Sequence, residues 1–163
     1  MSYKTILLHV DRGNRNAVST EVAIRMAKQH DAHLIALYAQ EPLVLPGYLL
    51  QAGLEISEAQ KKAALEEIAS AKSAYQNLAA SMHFKNTEWH STIDFPVDAV
   101  AKQARYADLI VTGQKDPSDI SNTSKDFPAQ LVLAAGRPVM ILPYAGSFLS
   151  VGRRILVAWN TSR

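Results

Sequence analysis

Apolar residues along this chain fall into five short runs, separated by longer stretches where they recur every three or four positions, which is the alternation of a strand and helix repeat. The runs are Thr5 to Val10, His33 to Ala39, Thr87 to Ile93, Asp108 to Gly113 and Pro138 to Leu142. Most lack a polar face and read as parallel strands buried on both sides, whereas Thr87 to Ile93 alternates and suits a sheet edge. After the first strand, Asp11 to Asn16 is a polar loop with a glycine and an asparagine N-cap. Val18, Val22, Met26 and Ala27 then mark a helix that ends near His30-Asp31. Glu41 to Gly53 holds two prolines and two glycines among large apolar residues and reads as an irregular, flap-like segment. Ser57 and Gln60 have capping-box spacing, and Leu65, Ile68, Tyr75, Leu78 and Met82 form one stripe along the longest helix. Pro96 opens a third helix carrying Val97, Val100, Ala101 and Ala104. Phe127 to Ala135 is the fourth, closed by Gly136. Four helices among five strands predict an α/β fold with a doubly wound parallel sheet.

The beginning of the chain is echoed near its end. Tyr3-Lys4-Thr5-Ile6-Leu7-Leu8-His9-Val10-Asp11 aligns with Gly152-Arg153-Arg154-Ile155-Leu156-Val157-Ala158-Trp159-Asn160. A repeat distance of this size fits two domains in tandem, since solenoid periods are several-fold shorter. The expected organisation is one domain over residues 1–145, a linker over 146–152, and over 153–163 the first strand of a second, truncated repeat.

Composition narrows the function. The chain has 163 residues, a net charge of +2 with both signs interspersed, and no cysteine. No basic stripe is available to track a nucleic-acid backbone, so nucleic acid is not expected as a partner. No disulfide or thiolate metal site can form. No apolar run approaches the ~20 residues of a membrane helix, so no membrane partner is expected and a cytoplasmic location is the default.

Several segments, taken in order, resemble the universal stress protein family over residues 3 to 143. They are Lys4-Thr5-Ile6-Leu7-Leu8-His9-Val10-Asp11, Ala23-Ile24-Arg25-Met26-Ala27, Pro96 ahead of its helix, Ala107 to Gly113, and Arg137-Pro138-Val139-Met140-Ile141-Leu142-Pro143. The restart at Arg153-Arg154-Ile155-Leu156-Val157 looks like the tandem subclass. The resemblance implies five strands in the order 3-2-1-4-5 with helices on both faces, a role in stress survival, and a homodimer or an intramolecular pseudo-dimer with a second repeat. The pairing edge would be Val139, Met140, Ile141 and Leu142.

Many members of that family bind ATP through a glycine, a second glycine three residues on, and a Gly-Ser or Gly-Thr ten residues later. Glycines let backbone N–H groups approach phosphate. Here Gly113 matches the first, Asp116 stands at the second, and Asp126-Phe127 or Lys125-Asp126 occupies the final pair. Side chains obstruct that approach, and Asp116, Asp119 and Asp126 add repulsion that Lys115 and Lys125 only partly offset. No cofactor is therefore expected, with ATP or another adenine nucleotide as the small-molecule alternative. The resemblance places Asp11, Ala39, Gly113, Lys115, Lys125 and Asp126 at such a site. Asp11 has two readings, as a hold on the adenosine or as an acceptor for loop N–H groups.

No nucleophile, base and orienting group form a recognisable set, so no catalytic residue and no enzymatic activity is expected. Glu88 and His90 share one strand face, and His9 and His83 are further candidates, but two ligands without a third make no zinc site. His9 reads as a partly buried strand residue, Trp89 as packing, and Ser118, Ser121, Thr123 and Ser124 as an ordinary polar loop open to phosphorylation.

Overall fold

The five apolar runs become five parallel strands: β1 (Thr5–Val10), β2 (His33–Gln40), β3 (Thr87–Ile93), β4 (Leu109–Gly113) and β5 (Val139–Leu142). The four helices are α1 (Asn16–His30), α2 (Glu58–Ser81), α3 (Pro96–Ala104) and α4 (Phe127–Ala135). The computed structural model describes residues 2–13, 15–42, 47, 58–118, 124 and 126–158. Strand order is β3-β2-β1-β4-β5, the order that the family resemblance implies. The parallel registers run Ile6 to Leu34 and Leu109, Leu34 to Thr87, and Ile110 to Val139.

Alternate residues of each strand point to opposite faces. Ile6, Leu8 and Val10 join Leu34, Ala36, Tyr38 and Val111 in the core beneath α1 and α2. Leu7 joins Ile35, Leu37 and Ile110 in the core beneath α3 and α4, with Val100, Phe127 and Leu131. Because the period is two, His9 falls on the Leu7 side. It is buried, not partly buried as its sequence context suggested.

Helix ends follow local chemistry with one correction. Asp31 and Gly136 adopt the left-handed conformation that closes α1 and α4, and Pro96 sits at the first position of α3 behind Phe95. The N-cap of α1 is Arg15, without a side-chain capping bond, rather than an asparagine. The Asp11-Arg12-Gly13 turn satisfies the backbone here instead: Gly13 N–H donates to Asp11 and Asn16 N–H to the Gly13 carbonyl. On α2, Tyr75 and Ala79 are buried, but Leu65 is 61% exposed and takes no part in the core. The stripe outruns the sheet beneath it. The expected capping residue Ser57 and most of the 41–53 segment lie outside the described residues.

At the far end of the sheet from the loops, Asp108 fastens β4 to β1 by accepting the Lys4 and Thr5 N–H groups at 2.7 and 3.0 Å. Those two bonds hold its carboxyl below the usual range. Residues 146–152 pack on α1: Phe148 and Val151 lie against the core, Arg15 donates to the Gly146 carbonyl and Arg25 to that of Phe148. Beyond them 153–158 has no regular structure, and Ile155, Leu156 and Val157 are exposed.

Candidate functional site

In an open parallel sheet, ligands lie beyond the carboxyl ends of the strands, where the chain order switches. At that place the structure holds two small cavities. One is lined by His9, Asp11, Arg12, Tyr38, Ala39, Glu41 and Pro96, the other by Asp11, Gly13, Arg15, Ser19, Gly113, Lys115, Asp116, Ser124, Phe127 and Pro128. Each has a volume of about 20 Å³. That is room for about one water.

Asp11 lies in both cavities and links them. Its Oδ1 accepts the Gly13 N–H at 2.9 Å, the loop role that aspartate fills without a ligand. Arg12 lines the first cavity. Its Nε donates to Tyr38 Oη at 2.9 Å, and Nη2 donates to Gln40 Oε1 and pairs with Glu67 of α2. One guanidinium thus ties the loop after β1 to the end of β2 and to α2. Its rigid fork suits such a junction.

His9 stands beneath the crevice. Its ring lies 4.4 Å from that of Phe127, and Nδ1 lies 3.2 Å from Thr112 Oγ1. Burial pushes its pKa down to about 4, so the ring is neutral at neutral pH.

Gly113 ends β4 where the family pattern needs its first glycine. A Cβ there would stand 3.2 Å from Ser19 Oγ, so a larger residue would press on the first turns of α1. Asp116, at the second glycine position, turns back on its own loop. Its Oδ1 accepts the Ser118 N–H at 2.9 Å and the Ser118 hydroxyl at 2.7 Å. These bonds, with a smaller contribution from the Arg15 charge, hold its carboxyl below the usual range. The Asp116 carboxylate is thus a negative charge on the wall of the second cavity. Lys115 lines that wall as expected, and Asp126 is the N-cap residue of α4 without a capping bond. Lys125, Asp119, Ser121 and Thr123 lie outside the described residues.

The metal candidates separate. His9 is buried in the core beneath the crevice, while Glu88 lies at the sheet edge, 3.4 Å from His33 and 3.5 Å from His90. Among the described residues no three such groups form a metal-holding set. Trp89 packs between Tyr38 and Tyr75, with ring separations of 6.2 and 5.6 Å. Sequence reasoning brought Asp11, Ala39, Gly113 and Lys115 to this crevice but passed over Arg12, Arg15 and Ser19. Two arginines directly after a strand that ends at the switch point were the available signal.

The sequence profile described as the universal stress protein family matches residues 2–143. No curated protein matches the chain. Among solved structures, the universal stress protein UspA from Lactobacillus plantarum is similar at 22% identity and a TM-score of 0.68, covering 87% of this chain and 99% of its own. A universal stress protein in complex with cAMP shares 20% identity at a TM-score of 0.65, over 87% and 98% of the two chains. One from Archaeoglobus fulgidus in complex with dAMP shares 19% at 0.55, over 86% and 98%. At these identities the likeness shows the fold. Among the described residues no helix is long and apolar enough to cross a membrane.

Proposed function

The chain belongs to the universal stress protein family, and from that premise we propose a non-catalytic, regulatory stress-response domain whose crevice takes an adenine mononucleotide and disfavours a triphosphate. The observation that carries this reading is Asp116, held by Ser118 at the second glycine position of the phosphate loop. Like charges at close range repel even in water. The relatives crystallised with cAMP and dAMP carry one phosphate each, which favours the same class of ligand here. In this reading Asp11 and Ala39 take the nucleoside end, and Gly113, Lys115, Lys125 and Asp126 bound the phosphate side.

Calorimetry with AMP and ATP tests it. AMP is expected to bind at least as tightly as ATP, and Asp116→Gly to raise ATP affinity by up to about tenfold. Wild-type protein that prefers ATP by tenfold or more would sink the reading.

Assembly is the second part of the proposal. β5 ends the sheet, and along it Ile141 is 40% exposed while Leu142 is buried in the core. Among the described residues its outer backbone edge is unpaired, which suits pairing with a second copy or with a second repeat. In such a tandem chain the exposed Ile155, Leu156 and Val157 would gain cover, with 146–152 as the junction. Ile141→Lys places a charge on this edge and is expected to shift the protein from dimer to monomer in sedimentation. An unchanged dimer would move the pairing surface elsewhere.

A further inference from the structure

We propose that Arg15 receives the phosphate of the bound mononucleotide and, through the same guanidinium, couples occupancy of the crevice to the docking of residues 146–151 on α1. The inference rests on the nucleotide reading above. Arg15 lines the phosphate-side cavity together with Asp11, Ser19, Gly113 and Lys115. Its Nη2 donates to the Gly146 carbonyl, whereas its Nε is buried and has no hydrogen-bond partner among the described residues. A buried donor left unpaired is destabilising. An anion oxygen in the cavity would satisfy it.

Guanidinium carries five donors in a fixed fork, so one nitrogen can hold phosphate while another keeps the main-chain carbonyl. The rotamer that serves the ligand is the one that serves the strap. Occupancy and strap docking therefore stabilise one another. This arrangement also gives the phosphate a cation on the α1 side of the crevice, at the end of a 15-residue helix whose dipole favours an anion.

The strap has further anchors that do not touch the cavity. Arg25 donates to the Phe148 carbonyl while paired with Glu21, and Phe148 and Val151 pack on the core. These allow the coupling to be separated from simple attachment. Linkage requires the effect to be reciprocal: whatever factor AMP adds to docking, docking adds to AMP affinity.

Hydrogen exchange of amides 146–151, measured with and without saturating AMP alongside calorimetry, tests the proposal. In the wild-type protein AMP is expected to slow exchange there about fivefold or more. Arg15→Lys, which keeps the charge but loses the fork, is expected to abolish the slowing and weaken AMP. Arg25→Ala should speed exchange throughout yet keep the slowing by AMP, and Phe148→Ala should weaken AMP by the factor lost in docking. AMP that binds with unchanged exchange at 146–151, or an Arg15→Lys protein in which the slowing persists, overturns the coupling and leaves the nucleotide reading intact. Absence of binding by AMP overturns both.

Discussion

Truncation of Phe127 to alanine is expected to remove about 3–4 kcal/mol of folding stability, a shift of about 2 M in the urea midpoint. The ring is 2% exposed, opens α4, lies against His9 and lines the second cavity, beside Gly113 and Lys115. Its loss removes apolar area from water-free surroundings and leaves a cavity that Leu131 and Val100, fixed on separate helices, fill only in part. The cavity opens toward the crevice, so water would enter and reach the imidazole. A loss below about 1 kcal/mol would mean that the ring is not a core residue, and that α4 is positioned by Leu131 and Ala135 instead.

The fold was legible because its strands are buried on both faces and so appear as unbroken apolar runs. Thr5 to Val10 needed no partner sequence to be recognised, and the alternating Thr87 to Ile93 announced an edge, which β3 is. Boundaries slipped by single residues, as when β2 ran on to Gln40, because the carboxyl end of a strand is set by its neighbour's register and not by its own composition. Leu65 misled for a related reason. Helical periodicity reports which residues share a face, not how far the opposing sheet extends.

The crevice was half legible. Asp11 and Gly113 terminate recognisable strands, and topology sends such residues to the switch point. Arg12 and Arg15 were not, since their roles depend on partners at 38, 40, 67 and 146, distant in the chain and invisible to local spacing. His33 was missed in the same way, because the pairing of β2 with β3 is what brings it to Glu88.

Acidification from pH 7 to pH 5 is expected to cost the protein about 2 kcal/mol through His9 alone, rising to about 3 kcal/mol at its full extent. In the folded protein His9 titrates at about 4, against 6.5 for an ordinary imidazole, because burial penalises the charged ring. The unfolded chain therefore binds the additional proton between those two values, and stability falls as pH drops from about 6.5 to about 4. Below that the contribution levels off. The carboxyls of Asp94, Asp108 and Asp116 are held below their usual range, so the stability they supply is lost only at still lower pH. Asp11, Arg12 and Glu41 share the cavity with His9, yet the ring's shift comes from desolvation and not from any of them. Urea midpoints measured from pH 7 to 4.5 should slope in the wild type and flatten in His9→Gln, which retains a polar group beside Thr112. In Phe127→Ala, where water reaches the ring, the slope should shrink because the folded pKa moves back toward 6.5. Equal slopes in all three proteins would remove His9 as the origin of acid sensitivity.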